Sequence, residues 1–126
     1  MSIGVDNRLY SIHKSLRKPF VRGAFDIHSS KGPGIYIFWN GDTCIYVGST
    51  DRTIAERLCE HWTKSHNDEL GTWIKALGSQ LKVSWEVVDV DSFSTSKDKT
   101  NRIRWREQIF IDSFKPLTNK VMARSS

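Results

Sequence analysis

Gly34-Ile35-Tyr36-Ile37-Phe38-Trp39-Asn40-Gly41-Asp42-Thr43-Cys44-Ile45-Tyr46-Val47-Gly48 is the stretch on which the fold turns. Two apolar runs rich in β-branched and aromatic residues flank Asn40-Gly41. Asn-Gly suits the positive backbone angles of a tight hairpin turn, so the stretch predicts a β-hairpin with one tyrosine on each arm. Gly32-Pro33-Gly34 punctuates the chain just before the first arm, and Gly48 closes the second.

Downstream, Asp51 or Thr53 can cap a helix, and Thr53 with Glu56 has capping-box spacing. Ile54, Leu58 and Trp62 recur at helical spacing, and Arg57 and His61 lie four apart at the edge of that stripe. Leu70, Trp73, Ile74 and Leu77 mark a second helix over 68–77 that ends at Gly78. Leu81, Val83, Trp85 and Val87 alternate with polar residues, which predicts a third strand. Residues 91–101 are polar and read as a mobile loop. A last helix is expected over 102–114, with Ile103, Phe110 and Phe114 on one face and Pro116 ending it. The sum is an α/β domain: a small, mainly antiparallel three-stranded sheet flanked by helices. Its expected span is 34–121, between a basic arm (1–33) and a short tail (122–126).

The arm carries Arg8, Lys14, Arg17, Lys18, Arg22 and Lys31 against Asp6 and Asp26. It reads equally well as a solvated arm with a docked short helix or as a phosphate-contacting arm. The whole chain of 126 residues has a net charge of +5, so a polyanionic partner fits it. No apolar run is long enough to span a membrane, and the start lacks the apolar core of a signal peptide, so an intracellular location without membrane attachment is expected. Cys44 and Cys59 form no CxxC pair, which excludes a zinc finger, and reduced core thiols are expected.

Glu107 is the most informative residue. At helical spacing it projects from the apolar face made by Ile103, Phe110 and Phe114. A carboxylate there needs a partner: a structural salt bridge to an arginine, a metal, or a proton-transfer role. A basic cluster surrounds it (Lys97, Lys99, Arg102, Arg104 and Arg106), and with Arg52, Lys14, Arg17 and Lys18 these are the candidate phosphate contacts.

Gly34-Ile35-Tyr36 with Tyr46-Val47-Gly48 nine residues later resembles the two-part signature of the GIY-YIG nucleases, with Val47 in place of isoleucine. The likeness continues in order through Arg57-Leu58-Cys59-Glu60-His61, Glu107 on a late helix, and Lys115-Pro116-Leu117-Thr118-Asn119. It covers about 34–121.

The resemblance implies a phosphodiester hydrolase using one divalent cation, Mg²⁺ with Mn²⁺ as a substitute. Glu107 would hold the metal. Arg57 would clamp the scissile phosphate, and Tyr36 would act as general base or orient the attacking water, provided nearby cations acidify it. Tyr46 and His61 would hydrogen-bond water or phosphate, either exchanging roles with Tyr36, and Asn119 would fix the architecture around Glu107. Family members often place a lysine near the first tyrosine. The hairpin has none, which leaves Arg52 or Lys31 as substitutes. The implied partner is DNA, cut to 5′-phosphate and 3′-hydroxyl ends in restriction, repair or a mobile element, by a monomer or a homodimer. The alternatives are a non-catalytic nucleic-acid-binding module of the same fold and a nuclease of RNA or single strands.

Overall fold

The computed structural model describes residues 7–63 and 68–118. In chain order these form α1 (Asn7–Ser15), β1 (Lys18–Pro19), α2 (Arg22–Phe25), β2 (Gly34–Asn40), β3 (Thr43–Thr50), α3 (Ile54–Thr63), α4 (Asp68–Leu77), β4 (Lys82–Val87) and α5 (Ser96–Phe114). The sheet order is β1-β4-β2-β3, and every neighbouring pair is antiparallel. The expected antiparallel sheet with flanking helices is therefore present, with four strands instead of three. The addition, β1, is two residues long, too short to show any periodicity in sequence.

β2 is the inner strand of the hairpin, paired with β3 on one side and β4 on the other. It is buried on both faces, which explains its unbroken apolar run. On one face Tyr36 and Phe38, with Tyr46, meet Ile54 and Leu58 of α3, Leu70 of α4, and Phe20 and Phe25 from the N-terminal segment. On the other, Ile35, Ile37, Trp39 and Val47 meet Leu9 of α1 and Ile103 and Phe110 of α5. Full burial of a side chain such as Leu58 is worth about 1.5–3 kcal/mol.

Two local expectations are corrected. The inner stripe of α3 is Ile54, Ala55, Leu58 and His61, whereas Trp62 is exposed. His61 follows Ile54 by seven residues and so lies under it, while Trp62 is rotated away. The expected loop over 91–101 becomes helix from Ser96, because Thr95 accepts a hydrogen bond from the Asp98 amide (3.1 Å) and caps α5 six residues earlier than its apolar periodicity begins.

The N-terminal segment packs on the sheet. His13 of α1 is buried, its Nδ1 within 3.1 Å of Ser84 Oγ, and the Trp39 indole donates to the same hydroxyl at 3.0 Å. Cys44 is buried, Cys59 half-buried, and neither is in a disulfide. Among the described residues no helix is long and apolar enough to cross a membrane.

Candidate active site

The C-terminal end of β3 separates α3 from α5, and a cleft of ≈ 280 Å³ opens there. Ser49, Thr50, Asp51 and Arg52 line it from β3 and the following turn, Arg57 from α3, and Thr100, Ile103 and Arg104 from α5. A smaller hollow lined by Pro33, Asp51, Val90, Ser96, Lys99, Thr100 and Ile103 shares three of these residues and continues the cleft along the first turns of α5.

Behind the cleft lies a connected set of polar side chains. Tyr36 Oη and His61 Nε2 are 2.9 Å apart in a hydrogen bond. The Arg57 guanidinium and the Tyr46 hydroxyl lie close enough to that Tyr36 hydroxyl to bear on its ionisation, and the Tyr36 and Tyr46 rings are 6.1 Å apart. Glu107 lies beside the Ser49 side chain, which favours its charged form, and its charge is felt by both tyrosines. Tyr36, Tyr46, Arg57 and His61, from β2, β3 and α3, are thus gathered together, with Glu107 of α5 near enough for its charge to bear on both tyrosines. Asn119 lies outside the described residues.

Two glycines make this packing possible. Tyr36 pairs across the ladder with Gly48, and a Cβ on Gly48 would overlap the tyrosine ring. A Cβ on Gly34 would overlap the Glu86 carbonyl of β4. Both positions exclude side chains for reasons of space.

The electrostatics revise one expectation. Burial pushes the Tyr36 hydroxyl well above its ordinary pKa, and neighbouring Tyr46 adds to the rise, while Arg57 opposes it. Desolvation thus outweighs the cation, and Tyr36 is a neutral phenol at neutral pH. The cation that faces it is Arg57. Arg52 pairs with Glu60 and Lys31 with Asp26. Burial also raises the Glu107 carboxyl, against the pull of the Ser49 side chain and the Arg104 charge. Burial works against the charge on Arg57, and the carboxylate of Glu60, 2.9 Å from Nη1, opposes that effect, so the guanidinium stays protonated.

The structural salt bridge weighed for Glu107 belongs to its neighbour. Arg106 donates to Glu86 through Nε (2.6 Å) and Nη2 (2.9 Å) and lies over the Phe110 ring. Arg106 therefore faces the second core and not the cleft. Arg17 donates to the Gly41 carbonyl and the Asp42 carboxylate and covers Trp39, and Lys14 pairs with Asp42 at 3.3 Å. These two bind the hairpin tip. Arg52, Lys99 and Arg104 line the cleft or its extension. Lys97 and Lys18 are exposed, and Arg102 lies over the exposed Trp105 ring.

Sequence reasoning missed Ser49 and Glu60. Ser49 is one strand serine among several and gains meaning only because α5 brings Glu107 to it. Glu60 reads as a solvated helix acid, although its i+3 spacing from Arg57 was a usable signal.

Among the described residues no three His, Cys, Asp or Glu side chains gather as a metal cage. A single carboxylate beside an open polar cleft suits Mg²⁺, which retains most of its waters and takes one or two carboxylates with substrate phosphate. It does not suit a fully protein-coordinated zinc.

The family model for the GIY-YIG catalytic domain matches residues 32–121. Among solved structures, the GIY-YIG N-terminal endonuclease domain of UvrC from Thermotoga maritima, a point mutant bound to its catalytic divalent cation, is similar. It aligns with 72% of this chain and 86% of its own at 20% identity, with a TM-score of 0.52. That likeness is one of fold. No curated protein matches the chain.

Proposed function

Because the chain belongs to the GIY-YIG nuclease family, we propose that it is a metal-dependent endonuclease that hydrolyses DNA phosphodiesters, leaving 5′-phosphate and 3′-hydroxyl ends. The observation that carries this is the gathering of Tyr36, Tyr46, Arg57 and His61, within reach of the Glu107 charge, beside a polar, cation-lined cleft. The unit at work is the 34–121 domain, with residues 7–31 as its structural support.

The residues divide the task by chemistry. Arg57, partly desolvated and permanently charged, binds the scissile phosphate with its remaining N–H groups. Tyr36 orients the attacking water. As a neutral phenol it cannot be a standing base, so it passes its own proton to His61 Nε2 while taking one from water. The 2.9 Å contact already provides that path. Tyr46 holds Tyr36 in place by packing beside it. Glu107 would hold a divalent ion, Mg²⁺ or Mn²⁺, with Ser49 fixing the carboxylate; such an ion supplies charge neutralisation at the departing oxygen. The extension past Thr100 to Lys99 gives the strand an exit along α5, and Arg104 and Arg52 flank its entry. The substrate is intracellular DNA, recognised through its backbone.

Incubating the purified protein with supercoiled plasmid and Mg²⁺ tests the reading. Nicked or linear plasmid with 5′-phosphate ends is expected. Glu107→Ala should stop cleavage while duplex binding persists. If the protein binds DNA but leaves plasmid intact with either ion across pH 6–9, the catalytic reading is wrong. Faster digestion of RNA or single strands in a parallel assay would overturn the substrate assignment alone.

A further inference from the structure

Glu60 sits one turn beyond Arg57 on α3 and receives two arginines. Arg52 Nη2 lies 2.8 Å from Oε1 and 2.7 Å from Oε2. Arg57 Nη1 lies 2.9 Å from the same Oε1. Both arginines line the ≈ 280 Å³ cleft. The Arg57 charge also bears on the Tyr36 hydroxyl.

Two guanidiniums on one wall repel each other, and long side chains do not hold one geometry unaided. A carboxylate shared between them removes the repulsion and fixes both. Exposed ion pairs contribute little to stability, so folding gives no sufficient reason for the arrangement. Two arginines and one glutamate leave a single positive charge, which matches one phosphodiester.

We propose that Glu60 is a positioning residue that sets Arg57 and Arg52 as the two arms of a clamp for the scissile phosphodiester, with Arg52 the second arm. This rests on the nuclease reading above. It assigns Glu60 an effect through Arg57 and no contact with substrate. Arg57 is then held by Glu60 at the wall of the cleft.

The full-length protein, Glu60→Gln, Glu60→Ala and Arg52→Ala test this with two readouts, after circular dichroism confirms folding. The first needs no catalysis: ¹H–¹⁵N spectra of the arginine Nε–Hε groups. The Arg57 and Arg52 signals should broaden or collapse in Glu60→Ala and be partly retained in Glu60→Gln. Unchanged signals overturn the proposal whether or not the protein cuts DNA. The second is steady-state cleavage of a duplex. Glu60→Ala should lower kcat by at least about tenfold with a smaller change in KM. Arg52→Ala should weaken binding and reduce the salt-dependence slope by about one. Wild-type cleavage rates with tighter DNA binding in Glu60→Ala would make Glu60 a competitor of phosphate and refute the positioning role. A wild-type protein that cuts no nucleic acid would sink the nuclease reading and leave the spectra to judge the clamp.

Discussion

Gly48→Ala is a one-methyl test of the whole site. The added Cβ would stand 2.5 Å from Tyr36 Oη and 2.7 Å from Cε1, and nearer still to Cζ, where ordinary contact begins at 3.4 Å. The ring must retreat by about 0.9 Å to restore that contact with Oη, a displacement on the scale that costs ~10²-fold in rate when catalytic groups are misplaced. It cannot do so and keep its 2.9 Å hydrogen bond to His61. Tyr36 is 1% exposed, so the ring has no solvent to swing into and the core must absorb the strain, at about 1–3 kcal/mol. Domains of this kind are stable by about 5–15 kcal/mol, so the variant stays folded. Urea denaturation and plasmid cleavage, measured together, separate the two effects: a modest fall in midpoint with a roughly hundredfold fall in kcat. Cleavage within threefold of wild type would show that the placement of Tyr36 over Gly48 is immaterial to the chemistry.

Burial lowers His13 from 6.5 to about 4, against the attraction of Glu86 and with help from Arg106, so the folded protein takes up fewer protons than the unfolded chain between those values. Stability from this group is complete above pH 6.5 and is lost as pH falls toward 4; denaturation of wild type should lose ~2 kcal/mol more than His13→Gln between about pH 7.5 and 5, and parallel pH profiles would contradict the assignment. Arg106→Ala strands Glu86 at the margin of the second core and should cost about 2 kcal/mol, between the exposed and buried limits for ion pairs, with duplex affinity little changed. Arg104→Ala should do the reverse, weakening duplex binding and letting the Glu107 carboxyl rise further, so that the acid limb of the cleavage profile moves to higher pH. An unmoved limb would place Arg104 away from Glu107.

What the sequence disclosed followed from how local each signal is. The hairpin was legible because Asn40-Gly41 and its flanking runs are contiguous, and Glu107 because a charge in an apolar stripe stands out on any helical wheel. The cap of α5 was not: Thr95 and Asp98 sit in a Ser- and Lys-rich stretch whose composition resembles a loop. Whether Tyr36 is acidified could not be read from charge counts, which reveal nearby cations but not the depth of burial that outweighs them. Arg106 and Glu107 show the limit most plainly. They are adjacent in sequence and alike in polarity, yet a turn of about 100° along α5 sends one into a pair with Glu86 and the other to the side of Ser49 and Arg104, which line the cleft. Long-range partners such as Ser49 and Glu86 could not be read from spacing.

The outer strands of the sheet are β1 and β3, and chain from outside the hairpin covers part of the margin of β4 and of β3. β1 lies along β4, with the Phe20 amide donating to the Leu81 carbonyl at 2.9 Å. At the opposite side, the Leu117 and Thr118 amides donate to the Cys44 and Ile45 carbonyls of β3 at 3.3 and 3.0 Å. Unpaired strand margins are templates for other chains, and both margins here are guarded in this way. One guard, β1, precedes the stretch shared with the family. A fragment trimmed to residues 32–121 would bare the β4 margin and the hollow left by Phe20 and Phe25, two invitations to polymerise. Protection of the sheet's margins thus falls to residues that the proposed chemistry never touches.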